Sequence, residues 1–280
     1  MTVRPGGAGA ERLTGLTGDP RGVQVVLFDW GGTLTPFHQV DLLDLWRVAA
    51  RVLVPGELKG DEQRVEHVAA ALAAAERDWW EQAVASGRSG TTSDVLAAAA
   101  HLTGIDVQTA LASGALDAHL EAWTEHTGTD PEAAALLQAL RERGIRTGLL
   151  SNTHWPRHWH ERWLERDGVL GLLDARTYTS DLPHLKPHPE AFRAALADVA
   201  AACGEPPADP RHVVFVGDRP FDDIFGAARL GMRTVLRPHP AVPGYEVTPD
   251  ASIASLAELL PLVDGWRRGA LGALGALGAG

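Results

Sequence analysis

Three apolar runs that each give way within two residues to an Asp or Ser constrain this chain more than any other feature. They are Val23 to Phe28 (VQVVLF), Ile145 to Leu150 (IRTGLL) and Val213 to Val216 (VVFV). Runs of this kind suit strands buried on both faces. Shorter candidates are Ala175 to Thr179, Arg233 to Leu236 and Ala251 to Ser255. Helical stretches with readable ends separate them. Asp130–Pro131 offers an N-cap with proline at the first helical position, and Gly144 closes that helix. Pro189 opens the next and Gly204 ends it, while Gly231 ends the one after. Strand–helix alternation predicts a doubly wound α/β core, a parallel sheet covered by helices on both faces.

The stretch between the first two strands breaks the alternation. Leu42, Leu45, Trp46, Ala49, Val52 and Leu53 form one helical stripe, with Asp41, Asp44, Arg47 and Arg51 off it. Pro55–Gly56 stops that helix, Glu62 to Ser86 reads as a long one ended by Gly87, and Ser93 to Leu102 as another. Asp106 to Thr127 holds one or two more. Residues 37–128 are therefore expected to form an all-helical cap inserted after the first strand. The core is expected to comprise 22–36 plus 129–264. Residues 1–21 are Gly-rich without apolar period, an expected disordered lead, and 265–280 end in GALGALGALGAG, an expected disordered low-complexity tail.

Composition narrows the function. A net charge of −11 argues against nucleic acid, whose phosphates call for clustered cations. No run reaches the ~20 apolar residues of a membrane span. The N-terminal stretch lacks the apolar core of a secretory signal, so a cytoplasmic location is expected. Cys203 is the one cysteine, which excludes an internal disulfide, and beside the helix end at Gly204 it is expected to be inert. Of 25 basic residues only Lys59 and Lys186 are lysine, so each marks a place where a compact ammonium is wanted.

In open parallel sheets reactive groups gather at the C-terminal strand ends. There this chain puts Asp29-Trp30-Gly31-Gly32-Thr33, Ser151-Asn152-Thr153, Leu185-Lys186-Pro187, and Gly217-Asp218 followed by Asp222, Asp223 and Gly226-Ala227. Several carboxylates in one crevice repel one another unless a cation lies between them, and oxygen-only ligation suits Mg²⁺. A lysine and a hydroxyl beside a metal can hold phosphoryl oxygens, and a carboxylate can attack phosphorus. The glycines after Asp29 would let backbone N–H groups approach an anion.

These residues resemble the four motifs of the haloacid dehalogenase-like (HAD) hydrolase superfamily, in order and on the right elements, over residues 22 to about 236. The resemblance implies a Rossmann-like core with the helical cap of its first subgroup. It also implies a Mg²⁺-dependent phosphatase acting on a small phosphorylated metabolite through an aspartyl-phosphate. On it Asp29 would be nucleophile and metal ligand. Gly31 would ligate through its carbonyl, Asp218 directly and Asp223 through water. Ser151, Asn152, Lys186 and Gly32 would bind substrate, with Lys186 also pairing Asp29.

One position departs from the pattern. Where phosphatases of this superfamily carry a second Asp as general acid–base, this chain has Gly31. Loss of such a group costs roughly a hundred- to ten-thousand-fold in rate. A cap group such as His38 could supply the proton, or the substrate could leave without one. Two alternatives follow from the gap. One is a phosphonoacetaldehyde hydrolase-like enzyme, which would need Lys59 for a Schiff base. The other is a phosphate-ligand-binding protein without turnover. Elsewhere, Asp222 is read as a helix cap, and Trp155, Trp159 and Trp163 as helix packing. Trp79–Trp80 is read as cap core. His154 and His158 share metal-compatible i, i+4 spacing but read as packing or solvated residues.

Overall fold

A computed structural model of the chain describes residues 22–54 and 61–277. Six strands, β1 (Val25–Phe28), β2 (Arg146–Ser151), β3 (Ala175–Tyr178), β4 (Val213–Gly217), β5 (Arg233–Leu236) and β6 (Ala251–Ser252), form one sheet in the order β3-β2-β1-β4-β5-β6. Every pairing is parallel. The order reverses between β1 and β4, and their C-terminal ends open the crevice where a doubly wound sheet takes its ligands.

Alternate residues of the strands feed two separate cores. Val26 and Phe28 of β1 point with Leu149, Val214 and Val216 into one, and Val25 and Leu27 point with Leu150, Val213 and Phe215 into the other. The first is covered by α6 (Ala133–Glu142), α7 (Arg157–Arg166) and α10 (Leu259–Leu277), through Leu137, Trp163 and Val263. The second is covered by α8 (Pro189–Cys203), through Phe192, Ala195 and Val199. Each of the Val, Leu and Phe side chains, fully buried, contributes about 1.5–3 kcal/mol of transfer free energy. Gly148 on β2 has no room for more: a Cβ there would meet Leu27 at 2.7 Å and Val199 at 2.8 Å.

Among the described residues the elements between β1 and α6 are all helices, chiefly α1 (Leu42–Leu53), α2 (Glu62–Ser86), α3 (Thr92–Thr103), α4 (Val107–Ala112) and α5 (Ala115–Trp123). Asp41 caps α1 by accepting from the Leu43 N–H, Asp61 caps α2 through Arg64, and Gly87 ends α2 at a φ of 67°. Trp46, Ala49, Val65, Val68, Leu72, Val95 and Leu96 pack into a cluster of their own.

Four expectations need correction. The sixth strand stops at Ser252, not Ser255. The Asp130 helix begins two residues late, at Ala133 rather than Pro131, though Asp130 still accepts the Glu132 N–H at 2.9 Å. The segment ending near Gly231 opens with a π-helical turn, Pro220–Phe225, and only Gly226–Ala228 (α9) is α-helical. The tail expected to be disordered from 265 is helical to Leu277. Trp266 anchors its first turns on the core, Arg267 donates to the Arg143 carbonyl at 3.2 Å, and Ala and Leu favour helix beyond. The expected N-terminal lead and Lys59 lie outside the described residues.

Candidate active site at the strand ends

Strand geometry brings the four sequence motifs together. Asp29 follows β1, and its N–H donates to the Val216 carbonyl of β4 at 2.8 Å, so its side chain emerges beside Asp218. Lys186, fully buried, donates from Nζ to Asp29 Oδ1 at 2.6 Å and to Asp223 Oδ1 at 2.7 Å. Asp29, Asp218 and Asp223 can each offer an oxygen within 4.8 Å of the other two. Ser151 ends β2, buried at the same edge of the sheet.

Charge in this site is incompletely balanced. Burial works against the Lys186 ammonium, yet Asp223 and Asp29 together hold its pKa above the usual lysine range. Burial pushes Asp29 up to about 6 against the pull of Lys186. Burial, then the charges of Asp29 and Asp223, push Asp218 up to about 8. Asp222 is raised to about 6, again by burial first and Asp223 second. Neither oxygen of buried Asp218 has a hydrogen-bond partner. Buried polar atoms are almost always paired, so two orphaned carboxylate oxygens beside two further carboxylates fit a hard divalent cation such as Mg²⁺.

Several residues do something other than the sequence suggests. Gly32 was expected to bind substrate, but its N–H donates to the Thr35 carbonyl at 2.7 Å and is taken. Its φ is +81° and a Cβ would lie 2.4 Å from Asp218 Oδ2, so glycine is needed there to let Asp218 close on the loop. Asn152 was expected to bind substrate as well. Its side chain instead clasps the Lys186 backbone, donating to the carbonyl at 3.0 Å and accepting from the N–H at 2.8 Å. Asp223 accepts the Arg219 N–H at 2.9 Å with the oxygen that Lys186 leaves free. Beside Gly31 nothing lies within 4 Å of where a Cβ would be, so the space an acidic side chain would fill is open. His38 is exposed, with its ring against His126.

Sequence reading missed Arg237. Its guanidinium donates to the Thr33 carbonyl at 2.6 Å and to Asp130 at 2.7 Å, while its N–H donates to Gly217 at 2.9 Å. It ties the loop after Asp29 to the end of β4, and an arginine directly before Pro238 carries no motif that would reveal this. The histidine pair at i, i+4 is not a metal site: buried His154 faces Glu76 and His158 is exposed. His184, His188 and Glu190 form a second cluster of ligand types. There the two rings stack face to face at 3.8 Å, so their in-plane lone pairs run side by side, and His188 Nδ1 accepts the Glu190 N–H. The tryptophans after Ser151 pack as expected, Trp159 and Trp163 buried and Trp30 stacked on Trp163.

The model of the haloacid dehalogenase-like hydrolases matches residues 23–231, and the chain belongs to that family. Among curated proteins it is 33% identical over 107 residues to a glyceraldehyde 3-phosphate phosphatase of Pyrococcus abyssi, covering 38% of this chain and 40% of that one. It is 30% identical over 139 residues to a phosphoserine phosphatase of Thermus thermophilus, covering 46% and 49%. The chain thus spans about half or less of the length of these relatives. A solved HAD phosphatase of Thermococcus onnurineus superposes with a TM-score of 0.55 at 23% identity, covering 88% of this chain and all of that one. A 2-haloacid dehalogenase of Pseudomonas syringae gives 0.57 at 23%, covering 87% and 99%. At these identities the structures share the fold. Among the described residues no helix is long and apolar enough to cross a membrane.

Proposed function

We propose that this chain is a Mg²⁺-dependent phosphoric monoester hydrolase acting on a small phosphorylated metabolite, with Asp29 as nucleophile. Asp218 carries the reading: a buried carboxylate with both oxygens unpartnered, facing the Asp29–Lys186–Asp223 triad. The phosphatases among its relatives support the same reaction class. Asp29, Asp218 and the Gly31 carbonyl would hold Mg²⁺, with Asp223 acting through water. Bound there, the ion would offset the carboxylate charge and that of the phosphoryl oxygens.

The residues divide the work. Lys186 fixes Asp29 Oδ1, which leaves Oδ2 for attack on phosphorus. The Oδ2–P bond forms as the bond to the leaving oxygen breaks, and water later cleaves the aspartyl-phosphate to phosphate and free Asp29. Ser151 and Lys186 donate to phosphoryl oxygens, and Asn152 positions Lys186. The helices of residues 37–128 act as the cap over the crevice and select the substrate.

With an open space beside Gly31, departure depends on the leaving group itself. In Mg²⁺, acetyl phosphate and aryl phosphates should be hydrolysed far faster than sugar phosphates. Gly31→Asp should raise turnover on the poor leaving groups by roughly a hundredfold or more. Absence of turnover on every ester, in the wild type and in this variant, would overturn the reading in favour of a binding protein.

A further inference from the structure

Arg237, the residue that follows β5, reaches both halves of the site and the place where the helical segment rejoins the sheet. Its side chain is 17% exposed and that of Asp130 8%. A guanidinium only donates, so the direction of its bonds is fixed. One terminal nitrogen donates to the Thr33 carbonyl at 2.6 Å and the other to Asp130 Oδ2 at 2.7 Å. The Arg237 N–H donates to the carbonyl of Gly217, the residue before Asp218, at 2.9 Å. Thr33 in turn follows Gly32, which lies so close to Asp218 that a Cβ there would be 2.6 Å from the carboxyl carbon. Arg237 therefore holds the loop from Asp29 to Thr33 at the point where that loop meets Asp218. Asp130 extends the hold to the helical segment. Its N–H donates to the Leu34 carbonyl at 2.8 Å, which pairs the returning crossing with the outgoing one. Two residues beyond Arg237, the His239 ring stacks on Phe37 of the outgoing crossing at 4.3 Å.

We propose that Arg237 is a positioning residue: it clamps the nucleophile loop onto Asp218, and the clamp sets the width of the divalent-cation site. The inference rests on the reading of Asp29, Asp218 and the Gly31 carbonyl as the oxygens that would hold Mg²⁺. Asp29 and Gly31 belong to the clamped loop and Asp218 to the strand end beside it, so the spacing among them is the one Arg237 holds. Bonds within the loop do not substitute for it. Thr35 N–H to the Trp30 carbonyl at 2.8 Å and Gly32 N–H to the Thr35 carbonyl at 2.7 Å close the turn on itself, not onto Asp218. The Asp29 N–H on the Val216 carbonyl anchors only the start of the loop. Loss of the guanidinium would strip its donors from the buried Thr33 carbonyl and from Asp130, which favours movement of the loop toward new partners. Mg²⁺ holds its oxygens at about 2.0–2.1 Å in a near-ideal octahedron, whereas Ca²⁺ accepts about 2.3–2.6 Å and irregular geometry. A loosened site therefore loses Mg²⁺ before Ca²⁺. An arginine that only stabilised the fold would leave the ratio of the two affinities alone.

The test is calorimetric titration of Mg²⁺ and of Ca²⁺ into the full chain, with the melting temperature followed alongside. Arg237→Ala should lose Mg²⁺ affinity by roughly tenfold or more and Ca²⁺ affinity by a smaller factor, so the Mg²⁺/Ca²⁺ ratio falls. Arg237→Lys has one donor nitrogen in place of two and should move the ratio the same way by less. It decides the matter if the alanine variant does not fold. In the metal-free chain the Gly32, Thr35 and Asp130 amides should exchange faster together in either variant. An unchanged ratio in the folded variants, whatever the melting temperature does, would overturn the inference, as would wild-type exchange at Gly32 and Thr35. A wild type that binds neither ion would overturn the metal reading and the inference with it. A shifted ratio without turnover of any ester would uphold the clamp and overturn the phosphatase reading.

Discussion

Asp218 and Glu76 are both buried carboxylates, and the molecule treats them in opposite ways. Glu76 has a donor on each oxygen. Burial alone would raise its pKa, but the hydrogen bond and charge of His154 and the Trp46 N–H hold it below the usual range. Asp218 has no donor on either oxygen and sits beside like charges, which drive it up to about 8. A satisfied carboxylate holds two parts of the fold together, whereas an unsatisfied one stores instability that a ligand can relieve.

The contrast can be broken first at Lys186, where the largest effect is expected. Lys186→Arg should abolish nearly all phosphatase activity, because a planar fork cannot replace a point contact to Asp29 and Asp223 at 2.6 and 2.7 Å. Retained activity in a steady-state assay would remove Lys186 from the site.

A smaller effect lies in the metal-free stability profile. Asp218 binds a proton in the folded chain up to about pH 8, but in the unfolded chain only to about pH 4. The folded state thus holds the extra proton, and stability falls as pH rises through that interval. His119 and His160 act the other way, being neutral when folded, and lose stability as pH drops below about 6.5. Between pH 6.5 and 8 the Asp218 effect is exposed. The melting temperature should fall there without metal, and saturating Mg²⁺ or Asp218→Asn should flatten the slope. A slope indifferent to both would contradict the assignment.

The smallest effect should come from the satisfied partner. Trp46→Phe removes one donor from Glu76 and should cost about 1–3 kcal/mol in denaturant unfolding, with no change in Mg²⁺ affinity. A parallel loss of metal binding would show that the two carboxylates are not independent.

What could be read from the sequence follows the same division. Asp29, Lys186, Asp218 and Asp223 were legible because each lies at the C-terminal end of a strand or in the connection that leaves it, where parallel topology forces convergence. The strand runs were legible because burial on both faces demands them. Glu76 was not, since in an Ala-rich helix it looks like a solvated residue and its partner is 78 positions away. Gly32 was legible as a glycine but not in purpose, because only the fold brings Asp218 against it. The helical tail was missed because its anchor, Trp266 on the core, is tertiary while its glycines argue locally against helix.

The most direct test of the central claim is calorimetric titration of Mg²⁺ into the wild type and Asp218→Asn at pH 7.5. One ion should bind per wild-type chain. The variant should lose that binding while keeping its circular dichroism and melting above the metal-free wild type. Wild-type Mg²⁺ affinity in Asp218→Asn would contradict the account, because the two unpartnered oxygens would then be orphaned for some reason other than a metal.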